Sequence, residues 1–150
     1  MSEERGVIKF KARAKQLNSF RDLLRHRNIT PTDIDGLIDY NGKAFIYLEG
    51  KMKNKTLDIG QKKALESVVR SHWRAQNPSI VIYFWHDTPS DCEVQVAWMF
   101  VKMIFTIKPI TCLTGKQHQT EINWYHPQTQ TTTVKQAIEY FEEQFKHIGL

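Results

Sequence analysis

The sequence predicts an α/β fold in which helices flank a mixed central β-sheet. Three observations carry that expectation. Asn41-Gly42 sits between two short apolar-alternating runs, residues 79–85 form an unbroken β-branched and aromatic run, and helical periodicity occupies residues 6–26, 59–74 and 134–147. A hairpin followed by a helix and then a buried strand is the order in which a helix crosses over to a parallel partner. At 150 residues the chain suits one domain, 1–150, large enough to bury a core.

Each element has its own signal. Val7, Phe10, Ala14, Leu17, Phe20 and Leu24 recur at helical spacing, with Lys9, Lys11, Arg13, Lys15 and Arg21 on other faces, so the first helix is basic. Pro31 ends the approach to the hairpin. Residues 34–39 and 44–48 make its strands, because Asn41 and Gly42 both tolerate positive φ. Lys51, Lys53 and Lys55 extend the second strand or form a basic edge. Asp58 reads as an N-cap, and Leu57, Leu65, Val68, Val69 and Trp73 space out the helix over 59–74. The run 79–85 is a strand buried on both faces and therefore central.

Beyond it, Val94, Val96, Trp98 and Phe100 alternate with polar or small residues, which predicts a strand continuing through 103–107. A turn falls at 114–116, and 121–125 reads as a last strand. Thr133 and Gln136 have capping-box spacing, and Val134, Ile138, Phe141, Phe145 and Ile148 mark an amphipathic helix stopped by Gly149. Its apolar stripe packs on the domain or on another subunit.

Composition narrows the class. No apolar run approaches 18 residues and the N-terminus has no apolar signal core, so a cytoplasmic protein without a membrane span is expected. Cys92 and Cys112 stand alone, outside any zinc spacing, and read as reduced and structural. The net charge of +5 is unevenly spread. Residues 1–30 carry eight Lys/Arg against three Asp/Glu, and residues 51–74 carry seven against two. Between them, residues 31–50 hold Lys43 against Asp33, Asp35, Asp39 and Glu49. Carboxylates flanked by cationic segments suit a metal-dependent enzyme acting on a polyanion, and they also suit a well-solvated basic surface.

The hairpin gathers the chemistry. Its ends carry Asp35 on one strand and Glu49-Gly50-Lys51 on the other, so pairing brings two hard oxygen donors and an ammonium together. Register is the internal test. A strict two-residue loop pairs Asp35 with Leu48 and turns Glu49 to the wrong side. A three-residue Tyr40-Asn41-Gly42 loop with Gly42 left-handed shifts the pairing by one and puts Asp35, Glu49 and Lys51 on one face. Asp33 shares that face and is a rival ligand.

Asp35-Gly36-Leu37-Ile38, the turn and Glu49-Gly50-Lys51 together resemble the core of the PD-(D/E)xK nuclease superfamily, and within it the intron-homing endonucleases; the resemblance covers 29 to about 85. It implies a restriction-endonuclease-like core and a Mg²⁺-dependent endonuclease acting on double-stranded DNA. Asp35, Glu49 and the Gly50 carbonyl would hold Mg²⁺, with Lys51 orienting the attacking water or stabilising developing charge and Gln61 assisting. One such site cuts one strand, so a double-strand cutter works as a homo-oligomer, a dimer or tetramer.

The match departs from the family in two places. The motif's proline is displaced to Pro31, and the first helix carries Lys11 about where the superfamily often has an acid. Two alternatives therefore stand beside homing: a Holliday-junction resolvase, and a non-catalytic double-stranded-DNA-binding protein on the same fold. Lys9, Lys11, Arg13, Lys53 and Lys55 are candidate phosphate contacts, and Gln117, His118 and Gln119 candidate base readers. Gln61 equally suits a capping box closed on Asp58. His86-Asp87 lacks a third member and reads as a turn, while His118 and His126 lack the company a metal ligand needs.

Overall fold

The hairpin supplies the first two strands of a five-stranded mixed sheet. The computed structural model describes residues 32–111, 117–126 and 132–150, with backbone alone for 108–111 and 117–123. The sheet order is β1 (Gly36–Asp39), β2 (Phe45–Met52), β3 (Ser79–His86), β4 (Phe100–Thr111) and β5 (Gln117–Tyr125). β2 and β3 are parallel and joined through α1 (Ile59–Arg74); the other neighbours are antiparallel. A second helix, α2 (Val134–Phe145), follows the sheet. The expected first helix, 6–26, lies outside the described residues. Asp33–Leu150 form one compact unit.

Two cores sandwich the sheet. Tyr47, Val81, Phe105 and Ile107 meet Leu65 and Val69 of α1 on one face. On the other, Ile46, Ile80, Ile82, Phe84 and Ile104 meet Val134, Ala137 and Phe141 of α2. β3 is buried on both faces, as its unbroken apolar run requires, and each such side chain contributes about 1.5–3 kcal/mol on burial. The stripe of α2 thus packs on the domain itself. Its capping box forms as expected: Gln136 N–H donates to the Thr133 hydroxyl and the Gln136 side chain accepts from Thr133 N–H. Helical structure ends at Gly149, whose φ of 76° is left-handed.

The hairpin turn differs from the expected Tyr40-Asn41-Gly42 loop. Asn41 and Gly42 both take positive φ, 54° and 77°, and Lys43 N–H closes on the Tyr40 carbonyl, which is a tight primed turn. Tyr40 N–H then bonds the Ala44 carbonyl, so Lys43 is the extra residue, on the second strand and not the first. The Asp39 carboxylate accepts from Gly42 N–H at 2.7 Å and fixes this turn. The resulting register pairs Gly36 with Leu48, Leu37 with Tyr47 and Ile38 with Ile46. It gives the same side-chain facing as the expected loop, because the offset is again one residue.

Three expectations need correction. Residues 94–99 are not strand: Val96–Trp98 form a 3₁₀ turn, with Trp98 N–H bonded to the Gln95 carbonyl. Their alternation reflects Val94, Val96 and Met99 packing on the α2-side core while Trp98 stays exposed. β5 begins at Gln117, four residues before the expected strand, paired with the far end of β4. Cys92 is exposed and free, so it has no structural role in a core; Cys112 lies outside the described residues.

Candidate active site

β2 ends the shared face with chemistry. Tyr47, Glu49 and Lys51 alternate toward α1, while Ile46, Leu48 and Gly50 face the other layer. Continuing the hairpin register one residue past Gly36 sets Asp35 across from Glu49, and Gly50 N–H donates to Asp35 Oδ2 at 2.8 Å. Gly50 itself is required by packing. A Cβ there would stand 2.6 and 2.7 Å from ring atoms of Phe84 on the neighbouring strand, so the backbone can approach only without a side chain.

Glu49 is completely buried. Its Oε1 accepts from Gln61 Nε2 at 2.5 Å and pairs with Lys51 Nζ at 2.8 Å, whereas Oε2 is buried without a hydrogen-bond partner among the described residues. Burial pushes the Glu49 carboxyl above the usual carboxylate range; the Lys51 ammonium opposes that rise, and Asp35 and Asp33 add to it. For Lys51, partial burial pulls downward, but Glu49, Asp35 and Asp33 outweigh it and hold the ammonium charged. Buried polar atoms are nearly always satisfied, so Glu49 Oε2, together with the Gln61 side-chain oxygen that is likewise buried without a partner among the described residues, is what this site leaves open to a further ligand.

Gln61 reaches Glu49 because α1 starts where it does. The Asp58 side chain accepts from Gln61 N–H at 2.8 Å and fixes the first turn. The Gln61 side chain does not turn back to Asp58, as a capping box requires, but donates to Glu49. Both readings of this residue therefore hold in part: its backbone is capped and its side chain belongs to the site.

Sequence reasoning missed β3's contribution. Parallel pairing sets Tyr83 beside Glu49 and Trp85 beside Lys51. The Tyr83 hydroxyl donates to the Lys55 carbonyl and accepts from Trp85 Nε1, each at 2.6 Å, so β3 ties down the segment carrying Lys53 and Lys55. The strand at 79–85 is visible in sequence, but only the parallel register says which of its residues adjoin Glu49. That segment is not an extension of β2. The strand ends at Met52, and Asn54, at φ 66°, turns the chain so that Lys53 and Lys55 project as exposed cations.

The remaining candidates divide. Lys9, Lys11 and Arg13 lie outside the described residues. Gln117, His118 and Gln119 lie on β5, opposite Thr111, Ile110 and Pro109, and only their backbone is described. His86 ends β3, and His126 Nδ1 meets the Lys102 carbonyl at 2.9 Å. Among the described residues no three His, Cys, Asp or Glu side chains cluster as a metal group. The expected ligand set needs only two carboxylates and a backbone carbonyl. Among those residues, too, no helix is long and apolar enough to cross a membrane. No family model, curated protein or solved structure matches the chain.

Proposed function

We propose that the chain is a Mg²⁺-dependent endonuclease of the PD-(D/E)xK type, with a restriction-endonuclease-like core, acting on double-stranded DNA as an intron-homing enzyme. The observation that carries this reading is the placement of Asp35 across from a fully buried Glu49 whose Oε1 is held by Lys51 and Gln61 while Oε2 has no partner among the described residues. The donors are hard oxygens, the set Mg²⁺ takes, and Asp35, Glu49 and the Gly50 carbonyl would hold it. Bound there, Mg²⁺ supplies Lewis-acid polarisation of a phosphate and lowers the cost of ionising water.

The protein's own groups do the rest. Gln61 and Lys51 fix the Glu49 rotamer, and Lys51 stands charged where negative charge grows on the phosphoryl oxygens. Water oxygen attacks phosphorus, the bond to the 3′ oxygen breaks, and the products are a 5′-phosphate and a 3′-hydroxyl. Lys53 and Lys55 supply phosphate contacts beside the site. Cutting both strands requires two such sites, hence a homo-oligomer, a dimer or tetramer.

The test is cleavage of intron-insertion-site DNA and of a four-way junction, in Mg²⁺ and in Ca²⁺, with the wild-type chain and Lys51→Ala. Cutting of the linear site at fixed positions in Mg²⁺, lost in the variant, is the expected result. Cutting of the junction alone would assign a resolvase. Binding without cutting by the wild type would assign a non-catalytic DNA-binding protein.

A further inference from the structure

Where β3 leaves the sheet, the surface opens into a depression of about 680 Å³, within the range of small-ligand sites. Trp85, Trp98 and Phe100 line it, with Lys53 and Lys102 as cations against one carboxylate, Asp87. Large exposed aromatics are costly on a surface without a partner, and Trp98 and Phe100 are 61% and 55% exposed. Lys102 is there by design of the sheet. The β3–β4 register jumps between Tyr83–Met103 and Phe84–Val101, so Lys102 is the extra residue of a bulge, and its Nζ lies 4.3 Å from the centre of the Trp85 ring. Bulges re-aim side chains in this way beside functional sites. The depression also adjoins the carboxylate site, since Trp85 pairs with Lys51 and Lys53 N–H bonds the His86 carbonyl.

We propose that this depression holds one unpaired nucleotide of a DNA strand, its base stacked on Phe100 and Trp98 and its phosphate on Lys53 and Lys102. Lys102 already covers the Trp85 ring, and Lys135 Nζ lies 5.4 Å from the centre of the Trp98 ring, so stacking falls first to Phe100 and then to the part of Trp98 that stays exposed. An aromatic base with an anionic linkage matches an aromatic wall with a net positive rim, and stacking of this kind tolerates any base. The choice of DNA rests on the nuclease reading, because a strand engaged at Lys51 continues past Trp85. The nucleotide comes either from single-stranded DNA or from a base turned out of a duplex.

The test is anisotropy titration of the full chain with a short thymidine oligonucleotide in EDTA, where no cleavage enters. Phe100→Ala and Trp98→Ala are each expected to weaken binding roughly five- to a hundredfold, and Lys53→Ala to lower the salt slope by about 1. An abasic strand with the same number of phosphates is expected to bind the wild type as weakly as the thymidine strand binds Phe100→Ala. Wild-type affinity in both aromatic variants, equal binding of the abasic strand, or binding of RNA alone would overturn the proposal. A duplex carrying 2-aminopurine separates the two sources: fluorescence that rises on binding reports a turned-out base, and binding confined to single strands assigns those. Wild-type cleavage with unchanged binding by both aromatic variants sinks this site alone. Base-dependent binding without cleavage sinks the nuclease reading and keeps it.

Discussion

Lys51 Nζ lies 2.8 Å from Oε1 of a Glu49 carboxylate that solvent does not reach. A carboxylate taken out of water is stabilised only when it is paired and hydrogen-bonded, and here both partners use the same oxygen. The pair therefore fixes Glu49 without filling its coordination.

Lys51→Ala removes the charge beside the proposed phosphate while Gln61 still holds Glu49. Cleavage should fall at least a hundredfold, by the magnitude typical of losing one transition-state donor. Single-turnover rates with saturating enzyme, alongside DNA affinity measured in Ca²⁺, check this: the rate should drop with affinity little changed.

The site was only partly legible in the sequence. Asp35, Glu49 and Lys51 could be placed on one hairpin because strand alternation and a strong turn signal are local properties. The helix at 59–74 and the central strand were legible for the same reason, since capping, periodicity and a β-branched run need no knowledge of neighbours. The turn's extra residue was not: Asn41-Gly42 supports several loops, and the Asp39 bond to Gly42 N–H selects one. Tyr83, Phe84 and Trp85 became site neighbours only through the parallel β2–β3 register, which no local pattern encodes. The 94–99 segment misled because its alternation stops having structural meaning at the 3₁₀ turn: Val94, Val96 and Met99 pack on the core while Trp98 stays exposed.

Gly50→Ala should destabilise the fold by about 1–3 kcal/mol, because the new Cβ overlaps the buried Phe84 ring. Thermal unfolding would register this as a drop of several degrees. Adding Phe84→Leu should recover part of the loss, whereas a flexible site would show neither effect.

Gln61→Ala should leave helix α1 intact, because the bond from Asp58 is made to the Gln61 backbone N–H. It removes one of the two groups on Glu49 Oε1, so activity should fall while the far-ultraviolet circular dichroism spectrum is unchanged. Asp58→Ala should do the reverse, costing roughly 1 kcal/mol of stability through the cap.

His72 predicts a pH dependence away from the site. Its ring stacks on Phe45 at 3.9 Å and its Nε2 lies in hydrogen-bond contact with the Tyr47 hydroxyl at 2.8 Å. Burial lowers the His72 pKa below its ordinary 6.5, with Asp39 partly offsetting the effect. The unfolded chain thus binds the proton on His72 more readily, so the contribution of His72 to stability is full above pH 6.5 and is lost as pH drops through the lower folded value. Urea unfolding at pH 8 and pH 5 should resolve this slope, and His72→Gln should flatten it.

Mn²⁺ binding, followed by electron paramagnetic resonance on the wild type, Asp35→Asn and Glu49→Gln, tests most directly whether the hairpin brings two carboxylates onto one metal. One class of site is expected in the wild type, weakened at least tenfold by either substitution although the two residues lie on different strands. Equal binding by all three proteins would contradict it.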